Sequence, residues 1–159
     1  MTITMFRGQY AWLSTFYPAN IEVTHLGDVF CCETAEHGFQ VFKSTNLEDA
    51  IYVCSAPTPG QAKRRGREIT RRPDWEQNRN MYMRQVLELK FSQPDLMAKL
   101  ISTGHEDIVE VNVWHDTYWG VCNGIGSNWL GILLMSVRKQ MALHGIVDHA
   151  IEGINRANL

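Results

Sequence analysis

Net charge is almost absent from this 159-residue chain: 15 Lys and Arg stand against 17 Asp and Glu, a formal −2. The whole-molecule field therefore gives no push toward nucleic acid. Also missing is any apolar run near the roughly 18 residues of a membrane span. The longest greasy stretch, Trp129 to Val137, is broken by Gly131 and Ser136. The N-terminus lacks a basic segment followed by an apolar one, so no signal peptide is expected and the cytoplasm is the expected location. Cysteine is sparse, at Cys31, Cys32, Cys54 and Cys122. Adjacent Cys31 and Cys32 make a poor disulfide pair, and there is neither a C-x-x-C nor a zinc-type Cys/His spacing. Reduced, structural thiols and no bound metal are expected. There is no H-E-x-x-H and no Walker loop, and Gly124–Ile125–Gly126 lacks the third glycine of a dinucleotide fingerprint. Zincin, P-loop and Rossmann chemistry are set aside on those grounds, and no cofactor is expected. Repeats and low-complexity tracts are missing too.

What is present has the size of one domain with a core large enough to fold unaided, spanning residues 1–159. Thr2 to Phe6, Ile21 to Val23 and Asp28 to Cys32 read as short strands, the last two joined by a turn at His25–Asp28. From Glu33 the period becomes helical. Helices are expected over Glu33–Ser44, Asn46–Cys54 and from Thr58 or Pro59 to about Thr70. A long helix capped by Asp74 runs to Phe91, and a short one from Asp95 to Ile101 ends at Thr103–Gly104. Ile108–Val113 alternates like a strand. Residues 114–128 form an aromatic, glycine-rich loop, Leu130–His144 a further helix, and the last few residues a frayed end. The fold class is mainly α with a small N-terminal antiparallel β element.

The most informative stretch is Glu33-Thr-Ala-Glu36-His37-Gly-Phe39-Gln40-Val-Phe42-Lys43. On a continuous helix Glu33, Glu36, His37, Gln40 and Lys43 fall within roughly 120° of arc. A polar stripe is usually a solvated face. Here it gathers an acid, an imidazole, an amide and an amine, a set able to move protons and offer a nucleophile. A second feature is basic: Lys63, Arg64, Arg65, Arg67, Arg71 and Arg72 fall within ten residues. Arg64 and Arg65 read as solvated. Lys63 and Arg67, at i and i+4, can grip a phosphate, with Arg71 or Arg72 adding to the grip.

Glu36-His37-Gly38-Phe39-Gln40-Val41-Phe42-Lys43 is similar to the E-H-x-[FY]-Q-x-x-K signature of the NADAR (YbiA-like) family. Other pieces agree in order. Leu13 to Pro18 resembles its LSNFYP segment, with Thr15 where Asn is common. Ala62-Lys63 to Gly66-Arg67 resembles AK-x-x-GR, Arg72 to Trp75 the R-x-DW step, and Lys90-Phe91 the KF pair. Thr103-Gly104 with Val109-Glu110, Asp116 to Gly120, and Gly126 to Gly131 with Leu134-Met135 and Arg138 complete the match, over about residues 5–142.

The resemblance implies a YbiA-like single domain and an N-glycosidase, with two groups of substrate. One is ADP-ribose on guanine bases of nucleic acid, the leading expectation. The other is the ribosylamino-pyrimidine phosphates of riboflavin synthesis. In both, ribose C1 carries an exocyclic amino nitrogen of a base. A non-catalytic ADP-ribose or nucleotide-binding module is a third reading, and the Glu36/Lys43 pair speaks against it. A glycosylamine can open to an imine, and a lysine can exchange into it. Lys43 is the expected nucleophile, which requires a lowered pKa, and Glu36 the expected acid and base. The competing route is direct hydrolysis, with Glu36 or Asp116 activating water and Lys43 binding phosphate or orienting Glu36. Phe16, His37, Gln40, Lys63, Arg67, Trp119, Gly120 and Asn128 are the expected substrate-binding residues. His37 can equally be a satisfied core histidine, Trp119 a core plug and Asn128 a helix N-cap.

Overall fold

The computed structural model describes residues 1–158, the side chain of Val147 excepted. Among the described residues, two two-stranded β pieces, a 3-10 helix (Gly8–Leu13) and six α-helices share one core. In β2 (Pro18–His25) and β3 (Asp28–Thr34), alternate residues Ala19, Ile21, Val23, Phe30 and Cys32 are buried. The strands pair antiparallel, with Val23 opposite Phe30 and His25 opposite Asp28. Leu26 and Gly27 both have positive φ, 53° and 80°, as a two-residue turn matching the strand twist requires. This is the expected N-terminal hairpin, longer than the sequence suggests. A second pairing was not foreseen: β1 (Thr2–Ile3) runs parallel to β4 (Asp107–Ile108). The alternating stretch after Ile108 does not continue as a strand. Beyond it Glu110 O accepts from Val121 N, and Asn112 N donates to Val121 O, folding the chain back on itself.

Helix α1 (Ala35–Val41) lies at the centre, every residue buried. Thr34 caps it, Oγ1 accepting from His37 N at 3.2 Å. Its start is two residues later than expected and Lys43 falls in the turn beyond it, so Glu33 stays on β3 and the expected arc is cut at both ends. Gly38 lets α1 settle on the hairpin, because a Cβ there would meet Ile21 Cδ1 and Val23 Cγ1 at 3.0 Å. Helices α2 (Leu47–Cys54) and α3 (Pro59–Glu68) have side-chain caps from Asn46 and Thr58, and Pro59 opens α3.

Helix α4 (Trp75–Phe91) has no such cap. Asp74, the expected capping residue, instead takes an ion pair from Arg72 at 2.6 Å. Helices α5 (Pro94–Ser102) and α6 (Trp129–Ala157) follow, and α6 extends well past His144, where helix was not expected. Arg84 of α4 donates to Ser136 Oγ and Gln140 Oε1 of α6. Arg138 ties α6 to the end of α5 through Thr103 Oγ1 at 2.8 Å. Aromatic pairs join α1 and its C-cap to α4: Phe39 meets Trp75 at a tilt, 4.9 Å between ring centres, and Phe42 stacks on Tyr82 at 4.6 Å. All four cysteines are free thiols. Among the described residues no helix is long and apolar enough to cross a membrane.

Candidate active site

One face of α1 opens on a cavity of about 710 Å³, lined by Glu36 and Gln40 and, from the turn beyond the helix, by Lys43. The polar stripe is therefore not a solvated face: Glu36 is only 5 % exposed and Gln40 is buried. Burying a carboxylate demands donors. Thr15 Oγ1 donates to Glu36 Oε2 at 2.9 Å and Gln40 Nε2 donates to Oε1 at 2.6 Å, while Glu36 N donates to Thr15 O. The threonine hydroxyl at position 15 thus supplies a side-chain donor where the family motif commonly has Asn. Gly66 of α3 makes room for Gln40, since a Cβ there would stand 2.0 Å from Gln40 Oε1.

Lys43 is anchored through its backbone, with its N–H donating to Gln40 O and its carbonyl accepting from Arg72 N. Its Nζ sits 5.5 Å from the Trp75 ring centre and 6.0 Å from that of Phe39. Among the described residues it makes no ion pair or hydrogen bond through Nζ. Burial brings its pKa down to about 8; the Arg71, Arg67 and Lys63 charges push the same way, and Glu36 opposes them.

The facing wall comes from the segment after β4. Asp116 Oδ1 accepts from Tyr118 N and Trp119 N at 3.1 and 2.8 Å, and its N–H donates to Asn112 Oδ1, pinning the loop. Trp119 packs edge-on against Phe39 with centres 5.4 Å apart. Glu110 also lines the cavity, and its pKa is raised to about 7, by burial first and then by the nearby Asp116 and Glu36 charges, with Lys63 opposing. Arg7, Lys63, Arg67, Arg71 and Arg79 complete the cavity with Phe16 at its edge, so six basic side chains face three carboxyls. The site can hold an anion, offer an amine and carry protons.

A sequence profile of the NADAR domain matches residues 5–142. The chain belongs to the NADAR family. It is 35% identical over 150 residues to an N-glycosidase of Nostoc punctiforme, covering 87% of this chain and 93% of that one. It is 36% identical to the N-glycosidase YbiA of Escherichia coli over 114 residues, 69% of this chain and 71% of the other. The NMR structure of that E. coli protein superposes with a TM-score of 0.78 at 31% identity, over 92% of this chain and 86% of that one. The maize chloroplastic riboflavin biosynthesis protein PYRR is 33% identical over 143 residues, 80% of this chain but only 23% of its own length. This NADAR domain is an N-glycosyl hydrolase.

The NADAR fold brings Glu36, Lys43, Asp116, Phe16, Gln40, Lys63, Arg67 and Trp119 to one cavity. Three expected binding residues stand outside its lining. His37 is fully buried, with Nδ1 2.9 Å from Thr34 Oγ1 and Nε2 2.8 Å from Ala56 O: a satisfied core histidine tying α1 to the end of α2. Gly120 is small because a Cβ would approach Glu110 O to 2.3 Å, so it admits protein backbone. Asn128 holds that same residue, Oδ1 accepting from Glu110 N and Nδ2 donating to Ile108 O, both at 3.0 Å. It makes no side-chain cap for α6. Arg71 lines the cavity, whereas Arg72 turns to Asp74 and Tyr82. Arg65, expected to be solvated, donates to Tyr52 O and covers the Tyr52 ring. Glu110, Trp75 and Arg79 were not singled out from sequence. Only membership in the motif pieces flagged Glu110 and Trp75, and nothing flagged Arg79.

Proposed function

We propose that this N-glycosidase removes ADP-ribose from the exocyclic amino group of guanine in nucleic acid. The observation that carries the reading is the surplus of cations: Arg7, Lys63, Arg67, Arg71 and Arg79 line one cavity in a protein of net charge −2. A single ribose phosphate needs one or two of them. A pyrophosphate with an adjoining polynucleotide backbone has use for all five. The volume of about 710 Å³ lies in the upper half of the usual range of roughly 300–1,000 Å³ for ligand sites.

In this reading the C1–O4 bond of the ribose breaks first, O4 taking a proton and C1 becoming an iminium to the base nitrogen. The neutral Lys43 amine adds to C1, a proton passes to the base nitrogen, and the guanine amine leaves. Water then adds to the C1–Nζ imine and releases Lys43 and the sugar aldehyde, which recloses. Glu36, held by Thr15 and Gln40, accepts and returns the protons on the Lys43 side. Direct hydrolysis by water activated at Glu36 or Asp116 is the alternative route.

The similarity to the maize riboflavin biosynthesis protein favours a second substrate, the ribosylamino-pyrimidine phosphates, which carry the same type of bond. The protein is incubated separately with an ADP-ribosylated guanine oligonucleotide and with the pyrimidine intermediate, and released sugar is quantified. A kcat/KM at least tenfold higher on the oligonucleotide is expected. The reverse ratio would assign the pyrimidine, and binding without release from either would return the cavity to a nucleotide-binding role.

A further inference from the structure

Glu110 has no role in the scheme above, yet the fold is built around it. Its backbone is fixed on both sides, the N–H by Asn128 Oδ1 and the carbonyl by Val121 N at 2.8 Å. Gly120 clears the space beside it: a Cβ there would meet Glu110 O at 2.3 Å and Oε2 at 3.0 Å. Glu110 lines the cavity, while its Oε2, beside Gly120, is sealed from solvent and has no protein donor. Glu36 in the same cavity differs, since each of its oxygens accepts a hydrogen bond. A carboxylate with donors at both oxygens is suited to accept protons. One with a bare, sealed oxygen favours its neutral form and is suited to give a proton away.

We propose that Glu110 is the proton donor of the reaction: its carboxyl protonates the ribose ring oxygen as the C1–O4 bond breaks, leaving Glu36 as the base on the Lys43 side. The proposal rests on the reading of this cavity as the N-glycosidase site. The donated proton comes from the Glu110 carboxyl, the bonding pair of C1–O4 goes to the oxygen, and the base nitrogen lone pair closes the iminium. When the sugar recloses after hydrolysis, the hydroxyl proton returns to Glu110. Its charged neighbours are Asp116 from the loop, Glu36 from α1 and Lys63 from α3. The two carboxylates and burial hold the proton on, raising the pKa to about 7, while Lys63 works against them.

The consequence is a narrow pH window. Glu110 must be protonated and Lys43 neutral, with values of about 7 and about 8. At pH 7.5 each group is in its working form in about one molecule in four, so about one enzyme in seventeen carries both. The kcat/KM profile is then a bell with its maximum near 7.5.

The test compares wild type with Glu110→Gln, which keeps shape and removes the acid. The expected result is a fall in kcat/KM at pH 7.5 of about 100-fold and loss of the falling alkaline limb, leaving a rise to a plateau above about 8. A Glu110→Gln variant within threefold of wild type, with the falling limb intact, overturns the proposal. Infrared difference spectra of wild type alone provide a second arm that needs no variant to fold. A protonated carboxyl band should be present at pH 6 and gone at pH 8.5, and its absence at pH 6 also overturns the proposal. A wild type that cleaves neither substrate removes the functional reading, and the donor role with it. A wild type that cleaves, with an indifferent variant, removes the donor role alone.

Discussion

Lys43 can serve as a nucleophile only if a useful share of it is neutral near pH 7. With a pKa of about 8 it is neutral in about one molecule in eleven at pH 7. An ordinary lysine at about 10.5 would be neutral in roughly one in 3,000, so the site gains about 300-fold in free amine. Burial is the largest cause, followed by opposing effects from Glu36 and from Arg71, Arg67 and Lys63. The signs of three perturbations follow. Glu36→Gln removes a carboxylate that stabilises the ammonium, so the pKa falls further. Arg67→Gln and Arg71→Gln each remove a repelling cation, so the pKa rises. Competitive acylation from pH 6 to 11, read by mass spectrometry on the Lys43 peptide against exposed Lys139, measures each midpoint. A wild-type midpoint in the ordinary lysine range, or a rise in Glu36→Gln, would refute the assignment of Lys43 as a pre-activated amine.

Three further outcomes are expected. Gly66→Ala improves the intrinsic helix propensity of α3, but its methyl would stand 2.0 Å from Gln40 Oε1; kcat should fall at least tenfold with the melting temperature nearly unchanged, and an unchanged kcat would show that the Gln40–Glu36 contact is dispensable. Asn128→Ala leaves Glu110 N and Ile108 O without their partner, and should lose about 3 kcal/mol in urea unfolding; a loss under about 1 kcal/mol would show that the amide bridge carries little. Lys90 is fully buried, donates to Ser14 O at 2.6 Å and is brought down to about 7 by burial. The unfolded chain keeps that proton up to the ordinary lysine range, so stability rises with pH from about 7 to about 10, and the gain is wholly lost once pH has fallen back to about 7. Lys90→Met should flatten this rise when unfolding free energies at pH 7 and 9.5 are compared, and an identical rise in both proteins would count against it.

Local chemistry made much of the fold legible. Short strand-like runs on either side of the His25–Asp28 turn marked β2 and β3, Asn46 and Thr58 announced the starts of α2 and α3, and Thr103–Gly104 marked the end of α5. Asp74 misled because a stronger partner, Arg72, lies two residues away and takes its carboxylate. The polar stripe was visible, but its meaning was not. Neighbouring Glu36 and His37 diverge, one to the cavity and the other to a buried link with Ala56 O, and that division is set by where α2 ends and α3 packs. The Glu110 wall was harder still. Asn128 and Gly120 act on a residue 18 and 10 positions earlier, a relation that no helical or strand period encodes. Their sequence signs, an amide before a helix and a small residue in an aromatic loop, equally suit a cap and a ligand contact.

The cations that lower Lys43 are the same ones available to bind a phosphate, and that sets a conflict within the site. An anion held by Lys63, Arg67 and Arg71 cancels part of their field at Lys43, so binding works against nucleophile activation. Burial, the largest cause, survives binding and is deepened by a ligand that fills the cavity. The Lys43 pKa should therefore rise on anion binding without returning to the ordinary lysine range. Inorganic pyrophosphate isolates the electrostatic part because it carries the charge without the sugar or base. With saturating pyrophosphate, judged by protection of Lys63 from acylation, the Lys43 midpoint should move upward and remain below about 10. A midpoint that stays at about 8 while Lys63 is protected would mean that these cations do not act on Lys43. A midpoint restored to the unperturbed value would mean that charge, and not burial, lowers it.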